Sequence, residues 1–254
     1  MTGGGGLALL TGAGALAGLV GSAGGITSLV SYPALLAAGL APLTANVANI
    51  VALVACWPGS ALASRPELAG KGPWLRRWVP VAAVGGPAGS VLLLATPPGV
   101  FAYVVPFLVL AGSLALLAQP WLSARQQQLG GPRGARRVVL PLGLVGMSLY
   151  SGYFGAGSGV MLLALLLITT EPHLPTANAL KNMLLGAATL TSAAVVATAG
   201  PVDWRPVLAM GAGLFIGSSI GPRVTRRVPP GLLRLLVALV GVGLAVELWL
   251  SAKD

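Results

Sequence analysis

The sequence predicts an all-α polytopic membrane protein built from two inverted repeats, each a broken-helix hairpin followed by three transmembrane helices. Three observations lead to this fold class: the scarcity of charge, the length of the apolar runs, and landmarks that recur at a fixed offset. Of the 254 residues, 56% are hydrophobic and only 8% are charged, and the mean hydropathy is +0.88. Soluble domains carry roughly 25% charged residues, so this composition fits lipid rather than water as the solvent.

About eight hydrophobic segments make up most of the chain. Six of them are close to the roughly 17–25 residues that a spanning helix needs. These six lie at 44–62, 79–96, 100–121, 176–199, 206–222 and 232–250. Two others, 7–40 and 138–170, are too long for one crossing and are interrupted by glycine clusters. Because the runs are continuously apolar rather than alternating, they predict helices and not barrel strands.

Landmarks that recur at an offset of 132 residues indicate an internal duplication. The tripeptide Thr-Ala-Asn at 44–46 recurs at 176–178, and Pro-Pro-Gly at 97–99 recurs at 229–231. Three pairs of glycines match at the same offset: Gly25 with Gly157, Gly85 with Gly217, and Gly89 with Gly221. We therefore divide the chain into a first repeat at 1–122, a basic cytoplasmic linker at 123–137 and a second repeat at 138–254.

The net charge of +10 is concentrated in three connections between apolar segments. Twelve of the fifteen lysines and arginines lie there: Arg65, Lys71, Arg76, Arg77, Arg125, Arg133, Arg136, Arg137, Arg223, Arg226, Arg227 and Arg234. The positive-inside rule places such loops in the cytoplasm. This rule accounts for the charge without a nucleic-acid partner.

Placing the three basic connections inside determines how often each half crosses the membrane. Segment 138–170 must enter and leave on one side, because a single crossing would put the third basic connection outside. It is therefore a hairpin of half-helices or a pair of short crossings. The same count makes 7–40 a hairpin that opens from the outside. Each repeat then crosses an odd number of times, so the repeats have opposite orientations and both chain ends lie outside.

Each predicted hairpin has a glycine-rich tip, at 21–25 and at 155–159. Glycine adopts backbone conformations that other residues avoid and lets a ligand approach closely. A helix that begins after such a tip presents free amide groups and a partial positive charge, which suit an anion. Close packing through small residues is the alternative role. The candidate binding residues at the tips are Ser22, Gly24, Gly25, Gly157, Ser158 and Gly159.

A polar cluster follows each hairpin and begins the next span. We expect Thr44 and Thr176 to cap these two helices and to belong to the site. The other candidates are amides and one ammonium, which offer hydrogen-bond donors to an oxyanion: Asn46, Asn49, Asn178, Lys181 and Asn182. Spacings of three and four place these side chains on one face of each helix. Polar contacts between helices are the alternative.

Lys181 is the only basic residue that we place inside a span, because Arg234, near the start of the last one, is counted with the third basic connection. A charge inside the membrane is costly and indicates function by default, so we interpret Lys181 as a ligand of the anion. The alternative is snorkelling to the cytoplasmic interface, since Lys181 lies less than two turns from the start of its helix.

The sequence carries no recognisable catalytic constellation. A hydrolase or oxidoreductase needs a nucleophile–base pair, a metal cluster or a cofactor motif. The single His173, the single Cys56 and five scattered acids supply none of these. We therefore predict no enzyme, no metal site and no cofactor. Cys56 is expected to be a buried structural thiol, and Glu247, the one acid within a span, an interfacial residue.

Five motifs follow one another in a recognisable order. They are the broken helix 18–33 with Pro33, the run of Gly39, Pro42, Ala45 and Asn46, the tip 155–159, the run of Ala177, Lys181 and Asn182, and Gly-Pro-Val-Asp-Trp at 200–204. In this order, and with the duplication, they resemble the TauE/SafE sulfite exporter family over about 15–250. The resemblance implies a bacterial inner-membrane transporter of small anions, with sulfite, sulfonates and other organosulfur compounds as the substrate range.

The sequence and the resemblance together predict a secondary transporter of sulfite or an organosulfonate. It would work by alternating access, with the anion between the two hairpin tips. No ATP-binding motif is present, so protons or another coupling ion are expected to drive it. The lipid bilayer is a partner, and a homo-oligomer stays open. Three alternatives also stay open: an anion channel, a membrane subunit that handles sulfur through Cys56, and a structural subunit of a larger complex.

Overall fold

A computed structural model describes residues 4–129 and 133–224, which are helical and contain no strand. The helices are α1 (Gly4–Gly24), α2 (Thr27–Ala37), α3 (Pro42–Leu53), α4 (Cys56–Ala63), α5 (Arg65–Leu68), α6 (Gly72–Ala95), α7 (Pro98–Leu129), α8 (Arg133–Tyr153), α9 (Ser158–Thr169), α10 (Leu174–Ala199) and α11 (Trp204–Val224). The following predicted features lie outside the described residues: the span 232–250, the tripeptide 229–231, Glu247, Arg226, Arg227 and Arg234.

Four stretches within the described residues are long and apolar enough to cross a membrane: Gly5–Ser22, Pro42–Ala63, Gly72–Ala95 and Leu174–Ala199. The predicted all-α membrane fold is therefore confirmed. The second of these stretches joins α3 and α4 through a turn at Val54 and Ala55. Pro58 explains the turn, because proline has no amide hydrogen to donate to the carbonyl one turn earlier.

The two long apolar segments are helices that break at the glycine clusters. In the first, α1 has 21 residues and α2 has 11, so they measure about 30 and 17 Å. In the second, α8 has 21 residues and α9 has 12. The second arms are half-helices, as expected, but each first arm is as long as a full span. Glycine within a membrane helix does not end it, so only the clustered glycines break the run.

The helix starts differ from the prediction in a second respect. Thr44 and Thr176 are not caps, because α3 begins at Pro42 and α10 begins at Leu174. The capping positions are Ala41 and His173, and neither makes a side-chain capping bond. Proline suits the first turn of a helix, and it starts both helices ahead of the threonines. The basic connections are also more helical than expected, since α7 and α8 leave only 130–132 between them.

The main helix contacts join the first half of the chain to the second half. α1 of the first half lies against α11 of the second, and α8 of the second lies against α6 of the first. The glycines that recur at the 132-residue offset lie at these contacts. Gly85 and Gly89 of α6 contact α8, and Gly217 and Gly221 of α11 contact α1. A Cβ atom at Gly85 would come within 2.6 Å of the Ser148 side chain. Small residues thus bring the helix backbones close together.

The same contacts give the directions of one set of helices. Gly14 contacts Met210 and Gly18 contacts Leu214, so α1 and α11 run parallel. The α3–α4 span also runs parallel to α11: Gly211 contacts Ala52 and Gly59 contacts Ser218.

A second set of helices runs the other way. Gly85 contacts Ser148 and Gly89 contacts Tyr153, so α6 and α8 run parallel. α10 follows α6 in the same direction, from the contact of Gly86 with Ala188 to that of Leu94 with Gly200. The two sets are antiparallel, because α10 meets the α3–α4 span in reverse order: Gly186 with Trp57, and Gly200 with Val47.

Candidate functional site

A cavity of about 80 Å³ lies where the two helix breaks meet α4 and α10. Its lining residues are Gly21, Ser22, Gly25, Thr27, Ser28, Leu53, Cys56, Trp57, Ser60, Ser151, Gly155, Ser158, Gly159, Lys181, Asn182, Leu185, Gly186 and Thr189. A water needs roughly 10–15 Å³ of such space. The cavity therefore has room for several waters or for one small anion.

The two helix breaks touch each other directly. Gly25 has a φ of +76°, in the region that favours glycine, and a Cβ atom there would lie 2.5 Å from the carbonyl carbon of Gly159. A Cβ atom at Gly159 would lie 2.5 Å from the Gly25 carbonyl oxygen. The space between the tips, where the anion was expected, is thus filled by their own contact. The cavity lies beside this contact.

Two helices begin at the cavity. Thr27 and Ser28 of the first turn of α2 line it, and so do Ser158 and Gly159 of the first turn of α9. The first turn of a helix carries unpaired amides and a partial positive charge. Both half-helices therefore direct positive potential toward the same small space.

Among the residues that the structure describes, Lys181 is the one charged residue that lines the cavity. Its side chain is 1% exposed, and its Nζ atom has no hydrogen-bond partner in the described structure. The ammonium does not reach an interface, as the snorkelling alternative requires. Removing an ionisable group from water without a partner costs free energy, so the position calls for a ligand.

Trp57 supplies a second unpaired donor that sequence reasoning did not identify. Its buried Nε1 has no acceptor among the described residues, and its ring packs against Gly186, where a side chain would overlap it. Tryptophan in membrane proteins favours the interface. A Trp-Pro pair in the middle of an apolar span was therefore the available signal. The other unpredicted polar lining residues are Thr27, Ser28, Ser60, Ser151 and Thr189, which carry no distinguishing pattern.

Asparagines cross between the halves and hold the helix breaks. Asn46 donates from Nδ2 to the Tyr153 carbonyl oxygen at 2.9 Å, at the end of α8. Asn178 donates to the Ser22 carbonyl oxygen at 2.9 Å, and Asn182 donates to the same oxygen at 3.1 Å. Each span after a break thus ties the break of the opposite half.

Asn49 lies away from the cavity and is fully buried. Its Oδ1 accepts a hydrogen bond of 2.5 Å from the Ser31 hydroxyl of α2. Six predicted site residues line the cavity: Ser22, Gly25, Ser158, Gly159, Lys181 and Asn182. Six others do not: Thr44, Asn46, Asn49, Gly157, Thr176 and Asn178. The surroundings of Gly24 lie outside what the structure describes. Gly157 instead contacts Gly112 of α7.

Two further titratable features lie near or outside the site. Cys56 lines the cavity and packs its Sγ against the Leu214 carbonyl of α11, at 4.0 Å. Lys71 and Glu171 form an ion pair of 2.6 Å that joins the start of α6 to the loop before α10. The Lys71 hydrogen bond holds the pKa of Glu171 below its usual value. No carboxylate is among the described residues that line the cavity.

Comparisons with known proteins give one consistent result. The model of a family described as sulfite exporter TauE/SafE matches residues 7–248. The chain is 26% identical over 239 residues to the probable membrane transporter protein YfcA of Escherichia coli (strain K12), covering 92% of this chain and 86% of that one.

Two more relatives carry similar names. A probable membrane transporter protein, ORF9 of Sinorhizobium sp, is 27% identical over 247 residues, covering 95% of this chain and 92% of its own. A probable membrane transporter protein of Haemophilus influenzae is 26% identical over 243 residues, covering 92% and 91%. No solved structure matches the chain with significance.

Proposed function

Because the chain belongs to the sulfite exporter TauE/SafE family, we propose that it carries a small sulfur oxyanion, sulfite or an organosulfonate, across the bacterial inner membrane. The family and the names of the relatives indicate a membrane transporter, and the apolar helices fit a multi-pass membrane protein. The observation that carries the choice of an anion is a cavity at which the described residues place two unpaired buried donors and no carboxylate.

The donors around the cavity match the chemistry of a sulfonate or sulfite group. Such a group spreads negative charge over three oxygen atoms, each of which accepts hydrogen bonds. Lys181 and Trp57 offer N–H donors, and two helix N-termini add partial positive charge. Serine and threonine hydroxyls complete the lining. A cation in the same place would leave these donors unpaired and would meet a like charge.

The packing directions support transport by alternating access between inverted repeats. At the 132-residue offset, α1 corresponds to α8, the α3–α4 span to α10, and α6 to α11. The contacts described above show that the two helices of each pair point in opposite directions, so each helix is antiparallel to its counterpart. In transporters of this architecture the site lies where the broken helices of the two repeats meet, and one part rocks against the other.

The first test is thermal unfolding of the purified protein with a panel of anions: sulfite, methanesulfonate, sulfoacetate, taurine, sulfate, chloride and acetate. A ligand that binds only the folded state at a hundredfold excess over Kd stabilises it by about 2.7 kcal/mol. We expect a sulfur oxyanion to raise the melting temperature of the wild type and of Thr198→Ala, whose exposed hydroxyl bonds within its own helix. Lys181→Gln should abolish the shift, and a shift that survives this change would contradict the proposal.

Transport in proteoliposomes separates the carrier from its alternatives. A carrier gives saturable uptake and exchanges labelled for unlabelled anion, whereas a channel gives conductance without exchange. A sulfur-handling subunit predicts loss of function in Cys56→Ser with retention in Lys181→Gln. A structural subunit predicts no flux of any anion.

A further inference from the structure

We infer that Lys181 is the proton carrier of this transporter: its amine takes up one proton as the anion binds and releases that proton as the anion leaves. This inference rests on the proposed function, because it adds a coupling ion and its carrier residue to the same site. It makes the driving force a proton gradient acting through one side chain.

The position of Lys181 provides the first step of the argument. Its side chain is 1% exposed, its Nζ is unpaired, and it lines a cavity of about 80 Å³. An ammonium inside a membrane protein is costly unless it is paired. When the cavity holds no anion, the neutral amine is therefore the favoured form. When an anion enters, it supplies the missing counter-charge and favours the ammonium.

The surroundings of Lys181 provide the second step, since no residue in the cavity replaces the anion. The helices packed against α10 are α1, α3, α4, α5, α6, α8 and α9. Of these, α1, α3 and α9 carry no ionisable residue. The ionisable residues on the others are Cys56, Arg65, Glu67, Arg76, Arg77, Arg133, Arg136, Arg137, Tyr150 and Tyr153. Among those whose side chains the structure describes, only Cys56 lines the cavity.

The proton and charge balance follow from this arrangement. The amine, one proton and one anion combine into an ammonium–anion pair, and the same three components separate on the other side. With a monovalent anion, the loaded site has gained no net charge. The empty site returns with a neutral amine, so the return step carries no charge either. Transport of a monovalent sulfonate is therefore electroneutral, with one proton moved per anion.

The test measures protons bound per anion in the full-length protein. Methanesulfonate is the probe, because its own charge stays fixed between about pH 6 and pH 9, where an unperturbed lysine would stay protonated. Uptake of one proton weakens affinity about tenfold for each unit of rising pH. Calorimetry in two buffers of different ionisation enthalpy should then give close to one proton per anion. Thr198→Ala should give the same count.

The possible outcomes distinguish failure of the proton-carrier inference from failure of the proposed function. Binding that is independent of pH, with no proton taken up, overturns the proton-carrier inference and leaves the proposed function standing. The absence of binding at every pH overturns the proposed function and the inference with it. Proton uptake that disappears in Cys56→Ser assigns the proton to the thiol and overturns the role of Lys181.

Lys181→Arg gives an independent readout, because arginine keeps its charge and does not release its proton in this range. We expect this variant to bind methanesulfonate with no pH dependence and no proton uptake. Binding that keeps the wild-type pH dependence would overturn the inference. If the variant does not fold, the proton count of the wild type and of Cys56→Ser still decides the question.

Discussion

The polar positions after the two helix breaks are equivalent in sequence but differ in their surroundings. Asn46 and Asn178 correspond at the 132-residue offset, and each donates to a backbone carbonyl at the break of the opposite half. Asn49 and Lys181 also correspond, yet the Oδ1 atom of Asn49 accepts a hydrogen bond from Ser31, whereas the Nζ atom of Lys181 has no partner among the described residues and lines a cavity. The tether is thus present at both equivalent positions, whereas the charged group is present at one of them.

The largest effect is expected where the halves share one contact. Gly25→Ala should lower the free energy of unfolding by about 3 kcal/mol, because it combines backbone strain with a clash against Gly159. Gly159→Ala should cost about 1–3 kcal/mol through the clash alone. Thermal or denaturant unfolding in detergent measures both values.

Gly39→Ala is the matched control for the contact between the breaks. Gly39 also has a positive φ, of +94°, but no atom lies within 4 Å of the position that a Cβ atom would occupy there. The substitution should cost about 1 kcal/mol, from strain alone. Equal losses in Gly25→Ala and Gly39→Ala would mean that the two breaks do not touch.

The second prediction compares the equivalent positions Lys181 and Asn49, which have different surroundings. Lys181→Met should raise the free energy of unfolding by about 1 kcal/mol, because it removes an unpaired ionisable group from the interior. Asn49→Ala should lower it by about 1 kcal/mol, because it removes a buried hydrogen bond to Ser31. Unfolding measured without ligand should show these opposite signs. Loss of stability in both variants would mean that Lys181 has a structural partner.

The third prediction concerns the two tethers that are alike. Asn46→Ala should destabilise by about 1–2 kcal/mol, because the Tyr153 carbonyl loses its donor. Asn178→Ala should cost less, since Asn182 still donates to the Ser22 carbonyl. Removing both Asn178 and Asn182 should bring the loss level with that of Asn46→Ala. A single Asn178→Ala variant as unstable as Asn46→Ala would refute the shared acceptor.

The smallest effect concerns an ion pair that is present at one position and absent from the equivalent position of the other half. The Lys71–Glu171 ion pair, whose side chains are 35% and 16% exposed, should contribute about 0.2–1 kcal/mol. The lowered pKa of Glu171 comes first from the Lys71 hydrogen bond. The ion pair therefore stabilises the fold above the pKa of an unfolded glutamate, about 4.3. This stabilisation is lost as pH falls through the pKa of Glu171 in the folded protein.

Glu171→Gln should remove that acid-side dependence from thermal unfolding measured between about pH 3 and pH 6. The residues equivalent to Glu171 and Lys71 are Gly39 and Asp203, which cannot form an ion pair. Asp203→Asn should therefore leave stability in the same range nearly unchanged. An equal effect of both variants would show that the ion pair is not one-sided.

Much of the fold could be predicted from sequence, because long apolar runs and glycine clusters are local signals. They gave the helical membrane class and the sites of both breaks. The helix starts were missed because Pro42 and Pro175 lie in the first turns of α3 and α10, which begin before the threonines. The connections proved helical because leucine, glutamine and arginine favour helix even beyond the bilayer.

The candidate site was less accessible to such reasoning. The offset identified equivalent polar residues, but only the packing of distant helices decides which of them faces a cavity. Lys181 faces it, while the matching Asn49 turns to Ser31. Trp57 enters the site because the α3–α4 span turns just before it. The contact between Gly25 and Gly159 depends on both halves at once, and no local pattern encodes it.

The packing of helices that are distant in sequence also has a consequence for how the protein is made. α1 is synthesised well before α11, yet the two helices pack against each other along their glycines. Contacts between such distant segments form slowly, and exposed intermediates are prone to misassembly. α1 therefore cannot complete its packing until α11 has also been synthesised and inserted.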